Sequence, residues 1–192
     1  MNYAALITAI LILSCNNPSV KEKGERNDVD FDQQREQAAI MKVIEKETEC
    51  FFQRDYNCWQ SCFAQTDYAF QAWNNENGTF DAFTGWEAIN NHAKNYLTNN
   101  PLVENKDMGQ EYTAKEAKSS HPKVIRKNIK TKFFSDKLAY LVWDQYNSDT
   151  FSQRFTWSKD SRLMEKITGE WKIVNVTSYW NFKNLIPADS LE

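Results

Sequence analysis

The chain has only two histidines, His92 and His121. His92 falls near the apolar side of a helical stretch. An imidazole there, with an ordinary pKa of about 6.5, could act as a general base; otherwise it is a partly exposed helix residue. His121 precedes Pro122 in a polar stretch and reads as a solvated loop residue. Two histidines this far apart, with no supporting spacing, make no zinc motif. Asp144 is the carboxylate in the most apolar setting. It follows Leu138-Ala139-Tyr140-Leu141-Val142-Trp143 and, at strand period, shares a face with Tyr140, Val142 and Tyr146. If that face lines a pocket, desolvation raises its pKa toward that of a base. A strand end open to water, or a pair with Arg126 or Arg154, would leave it an ordinary carboxylate. There is no G-x-S-x-G sequence, no Walker sequence and no dinucleotide fingerprint. Neither a metal nor a cofactor is expected.

Cysteine chemistry is confined to four residues. Cys58 and Cys62 lie one helical turn apart, where a bridge would be strained. A bridge from Cys50 to one of them is the better geometry, and buried free thiols are the alternative.

These groups must be held by a chain of 192 residues with 23 Lys+Arg, 26 Asp+Glu and a net charge of −3. That length fits one domain plus a tail. The near-neutral balance excludes a nucleic-acid binder that works through a basic field. A content of 41% hydrophobic and 14% aromatic residues excludes a disordered chain. Seven Trp must fill a core or line something. Five Gly and four Pro leave no room for Gly-rich phosphate loops.

Periodicity places a long amphipathic helix over residues 32–52, with Ile40, Val43, Ile44 and Phe51 on one face, capped by Asp30 or Asp32. A short helix follows, capped by Asp55, with Trp59, Cys62 and Phe63 on one side. Residues 67–73 suit a strand, and 74–79 are turn material. Thr84-Gly85-Trp86-Glu87 has the form of a capping box opening a third helix, which Asn99-Asn100-Pro101 stops. Residues 102–122 read as a loop. Strands are expected over 124–134, 138–146, 151–167 with a bend near Lys159-Asp160, and 171–180. Helices before serial strands give an α+β class with an antiparallel sheet.

The N-terminus has its own character. Residues 4–13 form an apolar run too short to span a bilayer and suited to a secretory signal. Ile12-Leu13-Ser14-Cys15 resembles the lipobox of bacterial lipoproteins, which implies a lipoprotein signal peptide over residues 1–15 with Cys15 acylated as the new N-terminus. Residues 16–31, charged and poor in apolar side chains, then read as a flexible tether. The expected location is the bacterial cell envelope, lipid-anchored and facing periplasm or exterior.

Three motifs in order resemble the NTF2-like superfamily, in its SnoaL-like and ketosteroid-isomerase-like branches. They are Phe51-Phe52-Gln53-Arg54-Asp55-Tyr56-Asn57-Cys58-Trp59, Thr84-Gly85-Trp86-Glu87-Ala88-Ile89, and Leu163-Met164-Glu165-Lys166 with Gly169-Glu170-Trp171-Lys172-Ile173-Val174. The resemblance implies a cone over residues 32–184: N-terminal helices packed on a strongly curved antiparallel sheet, with an apolar pocket inside and a short tail at 185–192. It implies that Trp59, Phe63, Tyr68, Trp73, Tyr96, Trp143, Phe155, Trp157, Tyr179 and Trp180 point inward or into a dimer face. Asn175 and Thr177, on one face of the last strand, then supply polar groups to a ligand. Isomerase-like relatives imply a pocket Asp as base, here Asp67, Asp144 or Asp149, with Tyr68, Tyr140 or Tyr179 as donors. Some relatives carry His at alternate places of the closing strand; Asn175 and Thr177 stand there instead, which lowers the expectation of an enzyme. The expected function is binding of a small apolar or amphipathic molecule without catalysis. The alternatives are an isomerase, cyclase or dehydratase using Asp144 or His92, or an assembly module that forms a homodimer through its sheet.

Overall fold

The computed structural model describes residues 31–101, 123–149 and 153–191. The first helix, α1 (Gln33–Phe52), begins at Asp32, whose carboxylate accepts from the backbone N–H groups of Gln34 and Arg35 at 3.0 and 3.1 Å. Its apolar face buries Ile40 and Ile44 completely. Arg54, in the left-handed region at φ 61°, turns the chain into α2 (Tyr56–Ser61). Asp55 caps that helix through the Cys58 N–H at 2.9 Å. The two helices are stapled by a Cys50–Cys58 disulfide with a Cα–Cα distance of 5.6 Å, and Cys62 is a buried free thiol.

A hairpin follows, β1 (Phe70–Asn74) and β2 (Phe80–Thr84), joined through a turn with Gly78 at φ 83°. The second strand was not expected from the sequence. The capping box at Thr84–Glu87 also does not form. Gly85 is the N-cap of α3 (Trp86–Asn99), at φ 81° and ψ 147°, with no side-chain cap. Gly85 N–H donates to the Ala69 carbonyl at 2.7 Å and Trp86 N–H to that of Thr66 at 2.8 Å. A β-carbon at position 85 would meet the Asp67 carbonyl oxygen at 3.3 Å. Only glycine suits both that φ/ψ and that approach.

Four long strands complete the sheet: β3 (Val124–Ser135), β4 (Leu138–Ser148), β5 (Arg154–Ile167) and β6 (Glu170–Pro187). The order is β2-β1-β6-β5-β4-β3. Every pairing is antiparallel except β1 with β6, which is parallel, so the sheet is mostly rather than wholly antiparallel. β5 is one strand that pairs without interruption through Lys159-Asp160. Thr168 and Gly169, both at positive φ, make the tight turn into β6. Residues 185–191, set apart by the sequence as a tail, continue β6 and end in a 3-10 turn whose Leu191 is buried.

Helices and inner sheet face enclose one core around Ile40, Ile44, Trp59, Phe63, Leu141, Trp143, Met164 and Ile173. Burial of each such side chain contributes about 1.5–3 kcal/mol. The layers are α+β, with the helices on the concave side of the sheet. The segment read as a signal, the tether through residue 30, Cys15, all of 102–122 and with it His121 lie outside the described residues. No helix among the described residues is long and apolar enough to cross a membrane.

One charged contact ties the start of α1 to the β5–β6 hairpin. Glu36, 6% exposed, accepts from Lys166 Nζ and from the Trp171 indole N–H, both at 2.7 Å. The Lys166 and Trp171 hydrogen bonds hold its carboxyl below the usual carboxylate range against the opposing effect of burial. A depressed folded-state pKa stabilises above the unfolded value, and that contribution is lost as pH falls through the folded one. Replacing Glu36 by Gln is therefore expected to cost about 1–3 kcal/mol near neutral pH. Urea melts from pH 7 down to pH 2 check it: the wild-type advantage should shrink steadily below roughly pH 4.5.

Candidate functional site

Between α1, α3 and the inner face of β1, β4, β5 and β6 lies a cavity of about 380 Å³. Its rim is aromatic: Phe51 and Phe52 from α1, Trp73 from β1, Tyr96 from α3 and Trp180 from β6. Its interior is polar, with Glu47, Gln71, Gln145, Asn147, Asp160, Arg162 and Ser178.

Asp160 is fully buried and fully used. Its Oδ1 accepts from Ser158 Oγ at 2.5 Å, and its Oδ2 accepts from Ser178 Oγ at 2.7 Å and Arg162 Nη1 at 3.2 Å. Arg162, 4% exposed, also donates from Nη1 to the Ser161 carbonyl and stands over the Trp143 ring at 5.1 Å. A second guanidinium, Arg126, lies over the same ring at 6.0 Å and donates from Nη2 to Thr48 Oγ1 at 2.7 Å. Burial lowers the Arg126 pKa, and the Arg162 charge lowers it further. Glu47 accepts from the Trp59 indole N–H at 3.2 Å, and its second oxygen lies 3.4 Å from Thr48 Oγ1. Thr48 Oγ1 donates to the Ile44 carbonyl at 2.9 Å. Burial pushes the Glu47 carboxyl up, against the opposing pull of Arg162, Trp59 and Arg126.

His92 stands in the wall from α3. It stacks on Phe83 at 4.2 Å between centroids and lies 5.5 Å from the Trp73 ring. Burial lowers its pKa below the usual histidine value, with Asp81 opposing.

The candidates read from the sequence divide by strand face. Trp59, Trp73, Tyr96 and His92 line the cavity, as does Trp180. Phe63 and Trp143 are buried in the core beside it, Phe63 against Trp59 and Trp86, and Phe155 is buried elsewhere. Asp144 is on the outer face. It pairs there with Lys159 and accepts from Asn128 at 2.8 Å and from the Trp157 indole at 3.1 Å. Burial nudges its carboxyl up, but the hydrogen bonds from Lys159, Asn128 and Trp157 outweigh that and hold it low. It is an ion-paired surface carboxylate, and not the pocket base. The inward residues of β4 are the odd ones, Ala139, Leu141, Trp143 and Gln145. Both faces of this strand are apolar enough that alternation alone left the phase undecided.

β6 corrects a second set. Ile173 opposes Met164, yet Asn175 opposes Leu163, so Val174 is an extra residue in the ladder. Strict alternation from Trp171 and Ile173 puts Asn175, Thr177 and Tyr179 inside. The bulge sends them outside and brings in Val176, Ser178 and Trp180. Asn175 instead donates to the Phe70 carbonyl at 3.5 Å and accepts from Thr177 at 3.2 Å, and Tyr179 is 66% exposed. Tyr68 is likewise outside, 56% exposed, and donates to Glu165 at 2.8 Å. The other proposed carboxylates, Asp67 and Asp149, are exposed.

Sequence reading missed Glu47, Asp160 and Arg162. A signal existed for each. Glu47 continues the Ile40, Ile44 row at helical spacing, and Ser158, Asp160 and Arg162 alternate in phase with buried Met164. Among the described residues, no group of three or more His, Cys, Asp or Glu converges as a metal would require.

Glu47 yields a test. A carboxyl whose folded pKa is raised favours folding below its unfolded pKa and loses that advantage as pH rises through the folded value. Glu47→Gln keeps an acceptor for Trp59 and removes the buried charge. The variant is expected to gain stability relative to wild type as pH rises from 4.5 to 8, read by thermal melts across that range. An unchanged difference would refute the assignment.

No family model and no curated protein matches the chain. Solved structures do. An NTF2-like protein of unknown function from Shewanella oneidensis MR-1 is 18% identical over 75% of this chain and 98% of its own, with a TM-score of 0.51. A putative scytalone dehydratase from Novosphingobium aromaticivorans is 12% identical over 80% and 88%, with a TM-score of 0.53. A type 2 hexachlorocyclohexane dehydrochlorinase, LinA, is 16% identical over 82% and 92%, with a TM-score of 0.50. The helices, the strand order and these likenesses agree on one architecture: the chain has the NTF2-like cone fold.

Proposed function

We propose that the cone cavity binds a small amphipathic molecule and that the chain does no chemistry on it. The observation that carries this reading is the joining of an aromatic rim, Trp73, Tyr96 and Trp180, to a charged interior built on Asp160 and Arg162. A volume of about 380 Å³ suits a small ligand, since such pockets run to roughly 300–1,000 Å³ with apolar walls and a few placed polar groups. The carboxylate that a proton-transfer mechanism would recruit, Asp144, is ion-paired on the far side of the sheet. Asp160 is already engaged by three donors, Ser158, Ser178 and Arg162.

His92 favours a second reading. It is an imidazole of lowered pKa in the cavity wall, and two of the solved structures sharing this fold carry enzyme names, a dehydratase and a dehydrochlorinase. On that reading His92 is the general base of an isomerase- or lyase-type reaction.

Gently purified protein is expected to keep a bound mass of roughly a few hundred daltons in a non-denaturing mass spectrum. Trp73→Ala should weaken rebinding on the order of tenfold without loss of fold. A bare mass, together with no thermal shift against a panel of apolar compounds, would overturn the binding reading. Turnover of a panel compound, lost on His92→Ala, would favour the enzyme.

The chain is also proposed to sit at a membrane surface through acylated Cys15, on the strength of Leu13-Ser14-Cys15 after an apolar run. Expressed in a bacterium with a labelled fatty acid, wild type should carry label in the membrane fraction. Cys15→Ser should lose it.

A further inference from the structure

We infer that the occupant of the cavity carries a carboxylate-like anionic head seated against Arg162, with its apolar body between the aromatic side chains of the rim. This rests on the binding reading above and names the class of molecule.

Arg162 is 96% removed from solvent and lines the cavity, yet it is only half used. Nη1 serves both Asp160 and the Ser161 carbonyl, while Nε makes no hydrogen bond among the described residues, and none is made by Nη2. Those two nitrogens form the planar fork that a carboxylate matches with two parallel hydrogen bonds. No carboxylate of the site is free to fill it. Asp160 already accepts from Ser158, Ser178 and Arg162 Nη1. Glu47 accepts from Trp59 and makes no ion pair with either guanidinium.

A second positive group stands behind the first. Arg126 spends Nη2 on Thr48, while its buried Nε is unpartnered, and both guanidiniums lie over Trp143. Arg162 thus lines the cavity with the Arg126 charge near it but outside the lining, and of the two carboxylates in the lining burial drives Glu47 toward its neutral form. Little water screens the Arg162 charge there. An uncharged carbonyl offers the fork a single oxygen and no charge, whereas a carboxylate offers two oxygens and a charge. The aromatic rim is set on the other side of the cavity for the rest of the molecule. Asn147 Oδ1, also buried and unpartnered in the cavity lining, can accept from one hydroxyl or N–H on that body.

The test compares two ligands of equal shape, 4-phenylbutyrate and 4-phenylbutanamide, by titration calorimetry on the intact protein at pH 7. The acid should bind at least about tenfold tighter. Arg162→Gln should collapse that gap to below about threefold, and Asp144→Asn, on the outer face, should leave it intact. Because Arg162→Gln strands Asp160 and risks unfolding, the paired change Asp160→Asn with Arg162→Gln is run beside it, with circular dichroism as the check on fold. Equal affinity for acid and amide, or tighter binding of the amide, overturns the anionic head and leaves the binding reading standing. Binding of only uncharged apolar compounds does the same. Binding of nothing, charged or apolar, overturns both.

Discussion

A carboxylate with no exposed surface is the constraint that the rest of this structure serves. Asp160 cannot sit in the middle of a sheet unless its hydrogen-bonding capacity is met from within. The three donors come from two strands, Ser158 and Arg162 on β5 and Ser178 on β6. They fix the register of the longest pairing in the molecule, in which Asp160 stands directly across from Ser178. They also aim Arg162 over the Trp143 ring, so the innermost aromatic residue packs against a charge rather than only against methyl groups. The apolar core then fills one end of the concave space, and the polar cluster keeps the other end from closing. The cavity is what remains between them.

The helices answer to the same cluster. Residue 47 falls on the buried row of α1, one turn beyond Ile44, where an apolar side chain would extend the core. A glutamate there is kept by the Trp59 indole, and Trp59 is kept in turn by α2. The Cys50–Cys58 bridge holds α2 against α1, so the orientation of Trp59 is set covalently as well as by packing. Closing a loop of this length restricts the unfolded chain by about 2.5 kcal/mol in the simple entropic view. The staple therefore lies next to the site, where it limits how far the cavity wall can relax. Cys62 plays no part in it; burial and the nearby Glu47 raise its thiol pKa and keep it inert.

Much of this was legible before any coordinates. Helices announce themselves by a wide apolar stripe and by Asp at the cap, so α1 read correctly almost to the residue and α2 in its start and cap, while Cys62 and Phe63, expected on its face, lie beyond its end. The strands on either side of Thr168-Gly169 followed from their own residues. What could not be read was which side of each strand is the inside. β4 carries aromatic and aliphatic side chains on both faces, so Asp144 and Gln145 were equally eligible on pattern alone. Only the pairing of Asp144 with Lys159, across from it on β5, decides between them. The parallel seam between β1 and β6 was hidden for another reason. It joins segments roughly a hundred residues apart, and no local pattern reports a pairing of that kind. The start of α3 shows local chemistry losing to tertiary structure: a sequence with the form of a capping box gave way to a glycine docked on the Thr66–Ala69 backbone.

The extra residue at Val174 has a bearing on how relatives of this chain are compared. It lets the hairpin end of β6 and its pocket end keep separate phases, so the core beneath Trp171 and the wall at Ser178 can vary independently. A relative without that residue would carry the same wall one position earlier in its sequence. Aligned column by column with no gap, the wall of one protein would be matched to the outer skin of the other, and Asn175, Thr177 and Tyr179 would be scored as the shared site. At identities of 11–18%, such as those of the solved structures, a one-residue gap is easily misplaced. Function transferred between such proteins is therefore safer when counted from the strand partner, Asp160 to Ser178, than from the chain.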